Sequence, residues 1–270
     1  MTTLYLNGTV SHPSWSSWDT RVECEVTSQS VINNTSNVTL KLQVRPNYDN
    51  GYLPYSNQGI TALNGETHTN VNYDFRSKKD IWVTLHSRSI SNIAHNADGT
   101  CNYSISASFN PNDSEISSIT YASVSGTIAL PTIPRASEIT SVPDFNIEEG
   151  LSITVDKKAL SFTDSLSVSV GGTVVKTIAD YESGDDIIFS DSEQLDIYNL
   201  IDDWDDTFTF TISTYNGGTL IGTDSDTATG TIKGDVTIHK TTDKGATFYI
   251  GTANGAVRCI TYDGEKRTYR

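Results

Sequence analysis

A period-two alternation of apolar and polar residues is the feature of this chain that most restricts its fold. Residues 38–44 read VTLKLQV, with valine or leucine at every second position, and residues 22–26 and 101–109 show the same spacing. Successive side chains of a β-strand point to opposite faces of its sheet, so this alternation marks strands with one buried face. Turn-forming residues separate the segments and no helical spacing lies between them. The sequence therefore predicts an all-β antiparallel sandwich or barrel.

Two closely spaced prolines in residues 130–135 (LPTIPR) divide the chain. Proline removes a backbone donor and restricts the residue before it, which favours an extended connector over a paired strand. We predict three parts. Residues 1–134 form a jelly-roll-like β-sandwich, residues 135–232 an immunoglobulin-like (Ig-like) β-sandwich, and residues 233–270 a short β-hairpin or meander tail.

One short helix is predicted within the second part. Ser190 and Glu193 form the Ser-x-x-Glu pattern of a capping box, in which each side chain bonds the backbone N–H of the other residue. On the inward face of this helix we place Leu195, Tyr198 and either Leu200 or Ile201.

The net charge of −15 is concentrated in residues 135–230, which hold 4 Lys/Arg and 19 Asp/Glu. Such an acidic segment repels phosphate backbones and anionic lipid, so we expect neither nucleic acid nor membrane as a partner. No apolar stretch approaches the length of a membrane span, and the N-terminal residues lack the regions of a signal peptide. We therefore expect synthesis in a cytoplasm.

No motif of catalysis or metal binding is apparent. The three cysteines lack metal-ligand spacing, the five histidines are scattered, and the patterns of zinc proteases, phosphate-binding loops and serine hydrolases do not occur. We expect a protein that is not an enzyme and that holds no metal and no cofactor. Two alternatives stay open, because converging aspartate-rich loops can bind Ca²⁺ and any two carboxylates at the right separation can form a glycosidase.

The best candidate for a binding site is the tyrosine-rich stretch 47–58. Tyrosine rings offer flat apolar faces to sugar rings, while Asp and Asn side chains offer hydrogen bonds. The candidate ligand-binding residues are Tyr48, Asp49, Tyr52, Tyr55 and Asn57. In the alternative, the tyrosines fold this loop onto the sandwich and pack there.

Three stretches carry a family resemblance: His95-Asn-Ala-Asp-Gly-Thr100, residues 126–137 (GTIALPTIPRAS) and residues 214–223 (TYNGGTLIGT). Together and in this order they resemble siphophage tail or baseplate structural proteins, of poorly defined function, from phages that infect Gram-positive bacteria. The resemblance covers most of residues 1–230 and implies a virion protein near the tail tip or baseplate.

The resemblance and the β modules together lead to an expected function. We expect a bacteriophage virion structural protein, a tail fibre, baseplate or adhesion component that displays β modules for attachment to the host surface. Its expected partners are other virion proteins, further copies of itself in a homo-oligomer, and saccharide of the host cell wall. The alternatives are a stand-alone glycan-binding module and a capsid or tail decoration protein.

Overall fold

The computed structural model describes residues 2–13, 17–48, 54–112, 119–201 and 204–232, together with the backbone of four strands between residues 239 and 269. The chain divides into two compact units, residues 1–135 and residues 136–270. The expected all-β sandwich fold is confirmed. The predicted division into three parts stays a prediction.

The first unit is a two-sheet sandwich. Its strands are β1 (Thr2–Asn7), β2 (Thr9–Ser11), β3 (Trp18–Ser30), β4 (Thr35–Pro46), β5 (Tyr55–Leu63), β6 (Glu66–Asp74), β7 (Val83–Ala94), β8 (Cys101–Asn110) and β9 (Tyr121–Leu130). One sheet has the order β1-β3-β4-β7 and the other the order β2-β9-β8-β5-β6. The pairings β3–β4, β5–β6 and β8–β9 are antiparallel between strands consecutive in the chain.

The alternation of the sequence produces the core of this unit. Leu40 and Leu42 of β4 and Val22 of β3 are buried from one sheet, and Phe109 of β8 and Val124 of β9 are buried in the same cluster from the other sheet. Each is at most 1% exposed. Because every second residue of these strands turns inward, the two sheets bury their facing sides against each other.

Strands β6 and β7 are outermost in their respective sheets. The β4–β7 register shifts between the pairs formed by Leu42 and Gln43, and Leu85 and His86 of β7 are both buried there. An inserted residue reverses the alternation. Because of this bulge, the side chains of the consecutive residues Leu85 and His86 both point into the interior.

Among the residues that the structure describes, the second unit contains a larger sheet, two short ladders, one helix and a separate C-terminal sheet. Its elements are β10 (Glu138–Ser141), β11 (Phe145–Asn146), β12 (Leu151–Ser152), β13 (Thr154–Asp156), β14 (Phe162–Val170), β15 (Thr173–Ile178), β16 (Asp186–Ile187), α1 (Asp191–Leu200), β17 (Asp205–Asn216), β18 (Thr219–Thr231), β19 (His239–Asp243), β20 (Ala246–Ala253), β21 (Ala256–Tyr262) and β22 (Lys266–Tyr269). The larger sheet has the order β11-β18-β17-β14-β15, and the ladders pair β10 with β13 and β12 with β16.

Helix α1 begins at the predicted capping box. The Ser190 side chain accepts from the backbone N–H of Glu193, and the Glu193 carboxylate accepts from the backbone N–H of Ser190. The predicted inward face was wrong in one position, since Leu195 is 55% exposed and Ile197 is fully buried. Tyr198 and Leu200 pack against the core and Ile201 is buried in it.

The C-terminal strands form the antiparallel meander β19-β20-β21-β22. The residues that join these four strands lie outside the described residues. Across the described part of the chain, α1 has ten residues and no helix is long and apolar enough to cross a lipid bilayer.

Candidate functional site

An open groove of about 530 Å³ lies where β5 pairs with β6. It is lined by Tyr55, Ser56, Asn57, Asn72, Tyr73 and Asp74. Tyr55 stands opposite Asp74, and the register then shifts between Ser56 and Gly59. A bulge interrupts regular pairing and twists the strand. This irregular end of the hairpin collects an aromatic ring, amides and a carboxylate in one concave surface.

Arg76 organises the charged end of this groove. Its guanidinium carbon lies 3.7 Å from the ring centroid of Tyr55. The same guanidinium donates to both carboxylate oxygens of Asp74, with Nε–Oδ1 at 2.9 Å and Nη2–Oδ2 at 2.8 Å. These side-chain hydrogen bonds lower the pKa of Asp74 to about 2, and the hydrogen bond from the Arg76 backbone N–H makes the next largest contribution. Asp74 is therefore a charged acceptor across the whole physiological pH range.

The predicted ligand-binding residues that the structure describes lie in two different places. Tyr55 and Asn57 line the groove. Tyr48 packs against the core, with its ring centroid 5.7 Å from that of Trp18 in an edge-on arrangement. Asp49 and Tyr52 lie outside the described residues. Tyr48 therefore follows the alternative interpretation, in which the tyrosines pack onto the sandwich. Tyr55, by contrast, is 46% exposed.

A second polar cluster joins the two outermost strands β6 and β7. His68 Nε2 lies 2.9 Å from Glu66 Oε1, and His86 Nε2 lies 3.9 Å from the same oxygen. The other oxygen of Glu66 forms an ion pair with Arg88, in which Oε2 lies 3.1 Å from Nε. The His68 and His86 rings stack, with centroids 4.0 Å apart. One donor atom from each of Glu66, His68 and His86 lies within 4.8 Å of the others.

His86 is held in one orientation inside this cluster. Its side chain is 0% exposed, and its Nδ1 lies 3.1 Å from the hydroxyl of Thr61 on β5. Among the described residues, its Nε2 has no hydrogen-bond partner. Burial, and after it the charge of His68, lowers the pKa of His86. The lowered pKa favours the neutral imidazole, in which one ring nitrogen carries a lone pair.

Comparison with known proteins assigns the chain to a family. Residues 14–242 match the family described as siphovirus protein of unknown function (DUF859). The chain belongs to this family. A search of curated proteins gives no match. The family match confirms the siphophage part of the resemblance, whereas the tail or baseplate role and the Gram-positive host stay predictions.

Two of the stretches that carry the resemblance contact each other in this siphovirus protein. Residues 95–100 form a tight turn in which Gly99, at φ +80°, donates its N–H to the carbonyl of Asn96 at 2.9 Å. The Gly99 carbonyl accepts from the N–H of Ile133 at 3.0 Å and lies 2.7 Å from His95 Nδ1. These motifs therefore build the end of the first sandwich. The third stretch forms the β17–β18 hairpin, with Gly217 and Gly218 at positive φ.

Sequence reasoning missed several residues of both sites in this siphovirus protein. In the groove, Asn72 and Asp74 come from β6, whose sequence pattern did not predict a strand. In the second cluster, Glu66 and His68 are two positions apart on one strand, which is the spacing of side chains on one face. That spacing was the available signal. His86 lies eighteen positions further on and gives no local signal.

Proposed function

We propose that this siphovirus protein is a virion component of the tail tip or baseplate that attaches the particle to saccharide of the host cell wall. The observation that carries the proposal is the groove between β5 and β6. It combines an exposed tyrosine ring with amide and carboxylate groups, which is the composition expected of a sugar-binding surface. The groove is open to solvent, so we expect a single contact with saccharide to be weak.

Weak single contacts are sufficient when many copies act together. Copies linked in one assembly raise the effective concentration of the second binding event, and the overall affinity exceeds that of each site by orders of magnitude. We therefore propose a homo-oligomer docked on other virion proteins. Light scattering after size exclusion tests this part, because a trimer or hexamer supports it and a strict monomer contradicts it.

The saccharide contact is tested by binding of the full-length protein to purified host wall polysaccharide. Tyr55→Ala removes the aromatic face and should weaken binding about five- to 150-fold, since an aromatic stacking contact contributes roughly 1–3 kcal/mol. Tyr121→Ala is the matched control, because Tyr121 lies on the same sheet and is 44% exposed against 46% for Tyr55. Equal affinity of Tyr55→Ala and the unchanged protein would contradict the assignment of the groove as the saccharide-binding site.

Location on the particle is tested separately. Gold-labelled antibodies against the protein should bind intact virions at the tail tip, whereas labelling of the capsid would assign the protein a decoration role instead.

Incubation with wall polysaccharide should release no reducing sugar. Release that a single carboxylate substitution abolishes would establish a glycosidase and overturn the adhesion-only function.

A further inference from the structure

We propose that Glu66, His68 and His86 bind one Zn²⁺ ion at the junction of β6 and β7. The site lies away from the residues that line the groove, and it does not depend on the proposed function. Two imidazoles and one carboxylate form a recognised zinc ligand set. This set favours Zn²⁺ over Ca²⁺ and Mg²⁺, which prefer oxygen ligands.

His86 supplies the strongest evidence for a ligand at this place. The ring is completely buried, its Nδ1 is engaged by Thr61, and its Nε2 faces Glu66 Oε1 at 3.9 Å. That distance is too long for a hydrogen bond, so the buried nitrogen is unpaired among the described residues. Buried polar atoms normally have partners, and metal-binding histidines normally have their second nitrogen held by a neighbouring group. Both rules are met when a cation occupies the space before Nε2.

Arg88 orients the carboxylate for this role. Its Nε forms an ion pair with Oε2 of Glu66, and its Nη1 donates hydrogen bonds to the backbone carbonyls of Leu63 at 3.0 Å and of Asn64. The guanidinium is thereby anchored to the β5–β6 turn. Glu66 Oε1 remains directed toward both imidazoles. Such outer partners fix ligand geometry at known metal sites.

His68 must turn for the three donors to converge. Its ring stacks on that of His86 with the planes 20° apart, whereas a metal ion lies near the plane of each imidazole that binds it. The His68 side chain is 49% exposed on an outermost strand, so rotation about its side-chain bonds meets little packing resistance. With three protein ligands in place, water completes a tetrahedral site. The ion then links the outermost strands of the two sheets.

The test uses the full-length protein, freed of metal with a chelator and titrated calorimetrically with Zn²⁺. We expect one Zn²⁺ per chain and a higher thermal unfolding temperature, because a ligand that binds only the folded state stabilises it. His68→Ala and Glu66→Gln should each lower the affinity at least about tenfold and cancel the thermal shift. Both residues are partly exposed, so these variants should fold. Ca²⁺ should produce no shift.

His12→Ala is the control, since His12 is an exposed histidine outside the cluster. It should bind Zn²⁺ like the unchanged protein. Absence of stoichiometric Zn²⁺ binding would overturn the proposal. So would binding that His68→Ala and Glu66→Gln leave intact, because the ion would then lie elsewhere.

Discussion

The backbone N–H of Ile133 donates to the carbonyl oxygen of Gly99 at 3.0 Å. This bond joins the turn before β8 to the proline-flanked segment that closes the first unit. The same turn is held by His95, whose Nε2 lies 2.7 Å from the Ser36 hydroxyl. The two stretches that resemble tail structural proteins thus have a shared structural role, since each supplies part of the other's hydrogen bonding.

Gly99→Ala should destabilise the first unit by more than about 2 kcal/mol. A methyl group at Gly99 would collide with the carbonyl oxygen of Ile133, and the φ of +80° is itself unfavourable for alanine. Gly65→Ala is the control, because Gly65 has φ +86° and open space around its Cβ position. Urea unfolding followed by tryptophan fluorescence measures both. Equal losses in the two variants would mean that the close approach has no cost.

Ser137→Ala should destabilise the second unit by about 2 kcal/mol. The Ser137 hydroxyl donates to Asp164 Oδ2 at 2.8 Å, and both residues are buried. The other oxygen of Asp164 has no partner among the described residues. Removing a donor from a buried carboxylate costs more than losing an exposed hydrogen bond. Ser141→Ala, at an exposed position of β10, should change the free energy of unfolding by less than about 0.5 kcal/mol.

Ile197→Ala and Leu195→Ala should separate the two faces of α1. Ile197 is fully buried, so its truncation should cost about 2–4 kcal/mol through lost burial and an internal cavity. Leu195 is 55% exposed, and its truncation should fall within about 0.5 kcal/mol of the unchanged protein. Calorimetric or chemical unfolding of each variant gives the comparison. A larger loss for Leu195→Ala would contradict this assignment of the helix face.

Cys24 should resist thiol reagents in the folded protein. Burial raises the pKa of its thiol to about 11, so the reactive thiolate is scarce at pH 8. We expect labelling of a Cys101→Ser, Cys259→Ser variant to be at least about a hundredfold slower when folded than in urea. The folded state retains this proton more strongly than the unfolded state. Its contribution to stability is therefore complete below pH 9 and decreases as the pH rises toward 11. Equal labelling rates with and without urea would show that Cys24 is exposed.

Much of the fold was predictable because strand alternation is local information. The buried face of β4 follows directly from residues 38–44, and the capping box identified Ser190 as the N-cap of α1. The inward face of the helix was less predictable. A surface helix with apolar residues on several sides takes its rotation from the sheet beneath it, which here selects Ile197 over Leu195.

The sites depended more strongly on tertiary structure. Composition alone identified tyrosines suited to sugar binding, but contact with Trp18 decides that Tyr48 packs inward, and pairing of β5 with β6 decides that Tyr55 faces the groove. His68 and His86 belong to different sheets and meet only because the sandwich brings two outermost strands together. The sequence by itself determined which residues alternate, turn and cap, since these depend on neighbours a few positions away. Only the tertiary structure decided which polar side chains converge, because that depends on how the two sheets pack against each other.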